Sequence, residues 1–229
     1  MRGKYHDGND TASAMLHVIA SACEYAPMYQ MGKENRMARG AMGEKSTSPS
    51  PVRAGGYEER RRAYQAMLET RAREMLKPYE EHLSGSLQAT LLAVKGGPGA
   101  TELAGGAPLS GPDGKALEKS LPRLGFDSAE VGGCLIETPG GASLTGDDLA
   151  LVIAVIDPIV VVALDGRALL ACSQALGIEE PPAYGTPTAS RLGPVVVAVD
   201  GFEQLLSTPE GKREAWAQLR RAQRPGEPY

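Results

Sequence analysis

The chain has 229 residues, a formal net charge of −4, and 42% hydrophobic against 23% charged residues, enough apolar material for one folded domain with segments to spare. An acidic balance with a sequence pI of about 5.5 argues against a dedicated, sequence-independent DNA binder, and aromatics at only 5% argue against a protein that grips bases by stacking alone. The three cysteines, Cys23, Cys134 and Cys172, form no CxxC pair, which excludes the usual zinc and iron–sulfur spacings and fits reduced thiols in a cytoplasm.

Residues 1–56 read as an extension and linker. Residues 11–25 have the makings of a short helix, and Arg39 to Gly56 (RGAMGEKSTSPSPVRAGG) is too rich in Gly, Ser and Pro to bury apolar surface. A faint lipoprotein-like signal ending at Cys23 is outweighed by Asp7 and Asp10, which stand where positive charge is required. No run is long and apolar enough to cross a bilayer, so no membrane partner is expected.

Residues 57–77 read as a helix, with Tyr64, Met67, Leu68, Ala72, Met75 and Leu76 at three- and four-residue intervals and arginines and glutamates elsewhere. Residues 57–84 form an amphipathic division of their own, and 57–77 would suit tethering a protein partner. The charged side reads as a solvated face with intrahelical pairs or, more sharply, as a basic face against DNA or an acidic partner.

The body of the chain, residues 85–224, alternates strands and helices, and residues 225–229 form a tail. Thr90–Val94 is a short apolar strand running into the turn Lys95-Gly96-Gly97-Pro98-Gly99. Residues 113–124 form a helix stopped by Gly125. A strand is expected at 131–136, a helix from a Thr145/Asp148 capping box to about Ile156, and a doubly buried strand at Ile159–Leu164. A helix at 166–176, a strand at Pro194–Val199 and a last helix opened by Thr208-Pro209 complete the series. The expected fold class is α/β: three α/β/α layers around a central, mostly parallel four-stranded sheet. Ligands then sit at the carboxyl ends of the strands, near loops 95–112, 137–146 and 200–207. The glycine turn is neither a phosphate-binding P-loop nor a dinucleotide fingerprint, and by itself is equally a tight structural turn.

Three collinear segments carry a resemblance. In LLAVKGGPGATELAGGAPLSGPDGKALEKSLPRLGFD the relevant positions are Pro98, Gly99, Ala100, Glu102, Gly106, Pro108, Gly111, Pro112, Gly114, Leu117 and Gly125. In AVIDPIVVVALDGRALLACSQALG they are Asp157, Pro158, Val161, Ala163, Leu164 and Ala168. In VVVAVDGFEQLLSTPEGKREAWAQLRR they are Leu205, Leu206, Pro209, Lys212, Arg213, Ala215 and Trp216. Together they resemble the uracil-DNA glycosylase superfamily, family 4 type, across residues 87–223. A weaker similarity links the ending to the psi subunit of the bacterial clamp loader.

The resemblance implies a uracil-DNA glycosylase-like domain whose chemical groups have been replaced. The family's water-activating acid falls at Gly96, or at Gly97 in relatives that use Asn one place later. The stacking ring falls at Leu109 and the uracil-reading Asn near Cys134 or Leu135. The His-Pro-Ser motif falls at Gly201-Phe202-Glu203, and no histidine follows residue 82. The four cluster cysteines are also missing, so no cofactor, metal or iron–sulfur cluster is expected. Implied DNA- or phosphate-contacting positions are Lys95, Gly96, Gly97, Gly99, Gly111, Arg191, Gln204 and Leu205, and the base-pocket positions are Leu109, Leu135 and Phe202. Glu102 and Glu203 are the carboxylates that could serve as displaced catalysts, with Asp113 and Asp200 beside them; helix capping or solvent exposure is the competing role for all four. The expectation is a non-catalytic, cytoplasmic glycosylase-fold protein of DNA metabolism that binds a protein partner, DNA, or both. The alternatives are an atypical deaminated-base glycosylase and a binder of a small nucleotide at the Lys95–Gly99 turn.

Overall fold

The computed structural model describes residues 52–224. The helix expected at 11–25, the extension as far as residue 51 and the tail 225–229 lie outside the described residues.

The first helix, α1 (Val52–Leu76), begins five residues before its expected start at 57. It stops where Pro78 approaches, because the residue before a proline is pushed out of helical geometry, and a tight turn (Lys77–His82) follows. Strand β1 (Leu83–Gly85) leads to β2 (Leu91–Lys95), which ends in the glycine turn. One helical turn, α2 (Ala100–Leu103), precedes α3 (Pro112–Leu124). Pro112 opens α3 at a position whose N–H would have no partner, and Gly125 closes it in the left-handed region at φ 80°.

Strand β3 (Val131–Leu135) is followed by α4 (Gly146–Ile156). The Thr145 hydroxyl accepts from the Asp148 N–H at 3.2 Å, and the Asp148 carboxylate accepts from the Thr145 N–H at 2.9 Å, as the capping-box pattern requires. Then come β4 (Val160–Ala163), α5 (Gly166–Ala175), β5 (Thr188–Ala189), β6 (Val195–Ala198), the short α6 (Phe202–Leu205) and α7 (Pro209–Leu219), which is capped by Thr208.

The α/β class holds, but the expected four-stranded sheet is corrected: the sheet is mixed and has six strands, in the order β1-β3-β2-β4-β6-β5. β3, β2, β4 and β6 are mutually parallel, while β1 and β5 add antiparallel edges. The two edge strands, Leu-Ser-Gly and Thr-Ala, are too short and too polar to show a hydrophobic period. Backbone pairing alone makes them strands.

Alternation along the parallel strands divides the interior in two. Leu92, Val94, Val161, Ala163, Val196 and Ala198 face α4 and α5, packing on Leu149, Val152, Ile153, Ala168 and Cys172. Leu91, Ala93, Val160, Val162, Val197 and Val199 face α3, α6 and α7, packing on Leu117, Leu121, Leu124, Phe202, Ala215 and Leu219. Strands buried on both faces need unbroken apolar runs, and VVVA in β4 and in β6 supplies them. Helices on both faces leave the strands' carboxyl ends as the open edge of the sandwich.

Candidate functional site

Lys95 is the last residue of β2, and its ammonium turns into a nest of carboxylates. Its Nζ lies 2.7 Å from Asp113 Oδ2, 2.8 Å from Glu203 Oε2 and 3.6 Å from Glu102 Oε2. The side chain of Lys95 is 7% exposed, those of Asp113 and Glu102 1% and 0%, and that of Glu203 31%. The acids come from the first turns of three helices, where carboxylates are favoured by the unpaired N–H groups and the helix dipole: Glu102 on α2, Asp113 on α3 and Glu203 on α6. Burial pulls the Lys95 pKa down, but the hydrogen bonds and charges of Asp113, Glu203 and Glu102 together outweigh it, so the value stands above that of an ordinary lysine.

The cluster sets three carboxyl groups around one lysine. Glu102 Oε1 and Asp113 Oδ1 are buried without a hydrogen-bond partner. Both lie near Gly111, since a Cβ built there would stand 2.7 Å from Asp113 Oδ1 and 3.7 Å from Glu102 Oε1. Gly111 therefore leaves room for two acids.

The glycine turn is engaged by carboxylates as well. The Gly96 N–H donates to Asp165 Oδ2 at 2.8 Å, and the Gly99 N–H donates to Glu102 Oε2 at 2.9 Å. A phosphate at this turn would have to displace both. Asp165 also caps α5, its Oδ1 accepting from the Ala168 N–H at 2.8 Å. Arg167, on the same first turn of α5, pairs with Glu137. There is no room for a side chain at residue 96: a Cβ would lie 2.5 Å from Asp165 Oδ1 and 2.6 Å from Arg167 Cβ. At Gly97 a Cβ would make only an ordinary contact, 3.9 Å from Arg167 Nη1.

A cavity of about 280 Å³ opens here, lined by Lys95, Gly96, Gly97, Asp113, Asp165, Arg167, Glu203 and Gln204 among others. The structure thus brings together Lys95, the three glycines of the turn, Glu102, Gly111, Glu203 and Gln204. Glu102 braces the cavity from below, and Glu203 is its one partly exposed member of the carboxylate nest. Asp200 is exposed and stands outside it.

Other expected positions fall elsewhere. Arg191 is 86% exposed and lies 3.9 Å from Glu179. It follows β5, whose Ala189 pairs with the first residue of β6, so it sits at the amino end of the parallel strands, opposite Lys95. Leu205 is half-buried against the α3 and α7 side of the core. Phe202 is buried in that same core, and Leu135 is fully enclosed.

Leu109 holds a left-handed backbone, φ 58°, which a leucine rarely adopts. Its carbonyl presses on Gly114 and its side chain on Gly133, where a Cβ would meet Leu109 Cδ1 at 2.8 Å. It lines a second cavity, of about 360 Å³, on the β1–β3 side. None of Leu109, Leu135 and Phe202 lines the Lys95 cavity.

Asp165 and Arg167 were not singled out by the sequence reading, although an aspartate before the helix-opening Gly166 is an N-cap signal. His82, the one histidine among the described residues, was also passed over. It is buried with Nδ1 2.8 Å from the Leu135 carbonyl, so Nδ1 carries the proton. Cys134 and Cys172 are unpaired and buried, and burial pushes the Cys134 thiol up to about 12. Among the described residues no His, Cys, Asp and Glu group is arranged to hold a metal ion, and no helix is long and apolar enough to cross a membrane. No protein-family model matches the chain, and no curated protein matches it.

Proposed function

We propose that this protein is a uracil-DNA glycosylase-fold member that no longer cleaves the glycosidic bond and acts in DNA metabolism by binding a protein partner, DNA, or both. Four parallel strands with helices on both faces are the arrangement this reading requires, and the two antiparallel edge strands extend it without interrupting it.

The observation that carries the reading is the crowding at Gly96. The resemblance puts the family's water-activating acid there, and in this chain that volume is filled by Asp165 and Arg167. Asp165 itself is committed to two backbone N–H groups. The segment that would present a leaving-group histidine instead sends Phe202 into the core. A glycosylase must grip an extruded base and stabilise the charge that develops on it. Loss of one such donor costs roughly 10²–10³ in rate, and here acid, histidine and stacking ring are all replaced.

Charge weighs the choice of partner. Around the strand ends Glu102, Asp113, Asp165 and Glu203 outnumber Lys95 and Arg167, a field that repels a phosphate backbone. A protein surface bearing basic side chains fits the cavity better than DNA does.

The rival reading, an atypical glycosylase, draws on Glu203, whose second carboxylate oxygen is unbound by Lys95 and whose side chain is 31% exposed. The test incubates the full chain with single- and double-stranded oligonucleotides containing uracil, followed by alkali. No strand cleavage is expected. Robust uracil release abolished by Glu203→Gln would overturn the non-catalytic reading in favour of its rival. Anisotropy with undamaged DNA, measured at two salt concentrations, separates the DNA arm from the protein arm.

A further inference from the structure

Every residue of α1 from Gly56 to Arg71 is exposed, and only Ala72 and Leu76 bury themselves in the domain. Before Ala72 its tie to the domain is the Gln88 Nε2 donating to the Gln65 carbonyl at 3.3 Å, so most of its surface packs on nothing in the domain. Yet one face carries large apolar side chains: Tyr57 (63% exposed), Tyr64 (59%), Leu68 (40%) and Met75 (39%). Alternating steps of seven and four residues keep these on one line of the helix, the spacing of a coiled-coil seam whose other positions are Arg61 and Arg71.

The seam is symmetric about Ala66. Tyr57 and Met75 lie equally far to either side of it, as do Tyr64 and Leu68, and Arg61 and Arg71. Two copies laid antiparallel with the two-fold axis level with Ala66, which itself faces outward, place Tyr57 on Met75 and Tyr64 on Leu68, each contact occurring twice. An isologous two-fold interface demands this property. The flanking positions agree. In that register Arg60 of one copy stands beside Glu74 of the other, again twice, while Met67 meets its own counterpart near the axis.

We propose that α1 is a self-association element, forming an antiparallel two-helix seam with a second copy of this chain. The seam runs from residue 57 to 75, about 27 Å at 1.5 Å per residue. Its weak point is the layer that sets Arg61 against Arg71, where the stems pack and the guanidinium groups turn outward to water. The association is therefore reversible and concentration-dependent. It is independent of whether the domain cleaves, grips or ignores uracil.

Sedimentation of the full chain up to about 100 μM, which detects a dimer with a Kd in that range, tests this. A species of twice the 24.1 kDa chain mass, growing with concentration, is expected. Arg60→Glu weakens the dimer by about tenfold, as expected for two ion pairs turned repulsive. Glu74→Arg does the same, and the double variant restores it. Arg71→Leu tightens it. Leu68→Glu abolishes it while leaving the unfolding transition of the domain in place. A chain that stays monomeric throughout, or a dimer indifferent to Leu68→Glu and to both charge reversals, overturns the proposal.

Discussion

Replacing Lys95 by methionine keeps the length of its stem and removes the one positive charge inside the carboxylate nest. Three acids, two of them essentially inaccessible, then face one another with no cation between them. Breaking a buried ion pair by removing one partner costs about 3–5 kcal/mol. The upper part of that range applies, because the ammonium contacts three carboxylates and Glu102 and Asp113 already hold unpartnered oxygens. For a body of this size such a loss lowers the melting temperature by roughly 10 °C. Urea unfolding followed by the fluorescence of Trp216, the only tryptophan, measures it.

The paired substitutions are the sharper half of this prediction. Asp113→Asn added to Lys95→Met should recover stability, whereas Asp113→Asn in the wild-type chain should cost it. In the wild type the sign of the pH dependence is set by Lys95. Its folded pKa is raised, so its contribution is complete below the ordinary lysine value of about 10.4 and is lost as pH climbs through the higher folded value. A Lys95→Met variant less than about 1 kcal/mol weaker than wild type, and not rescued by Asp113→Asn, would refute the claim that the ammonium organises this cluster.

Three further outcomes follow from the geometry. Gly114→Ala drives a Cβ into the Leu109 carbonyl oxygen, a backbone atom that cannot step aside, and should cost about 3 kcal/mol in the same urea assay. Asp148 is held below the ordinary carboxylate range first by the Thr145 hydroxyl, with backbone and Tyr79 hydrogen bonds adding to it; its contribution is present above about pH 4 and lost as pH falls through the folded value, so Asp148→Asn should flatten the acid limb and cost about 1 kcal/mol at neutral pH. Cys134, with its thiol pushed up to about 12, should resist iodoacetamide in the folded protein at pH 8 and react only in denaturant, as peptide mass spectrometry would read directly.

Much of the architecture was legible because its signals are local. The β-branched runs Val160–Ala163 and Val195–Ala198, the Thr145–Asp148 box, Pro112 and Gly125 each announce an element or its end, and the observed bounds lie within a few residues of those expected. The edge strands were not legible, since two or three residues carry no periodicity and owe their state to β3 and β6. The site was legible only in outline. The turn at Lys95 and the acids Glu102, Asp113 and Glu203 could be marked as neighbours of the strand ends. That three of them converge on one ammonium depends on helix starts far apart in sequence meeting at a single point. Asp165 was hidden differently: its cap signal predicts a helix start, and nothing local predicts that its second oxygen reaches across to β2.

That second oxygen has a mechanical consequence. By gripping the amide at the exit of one strand and the first turn of the helix that follows another, the Asp165 side chain rivets two neighbouring βα connections into a single rigid corner. Any visitor that drew the Gly96 amide toward itself would pull out one end of the rivet and leave α5 held at its start by a carboxylate free to swing.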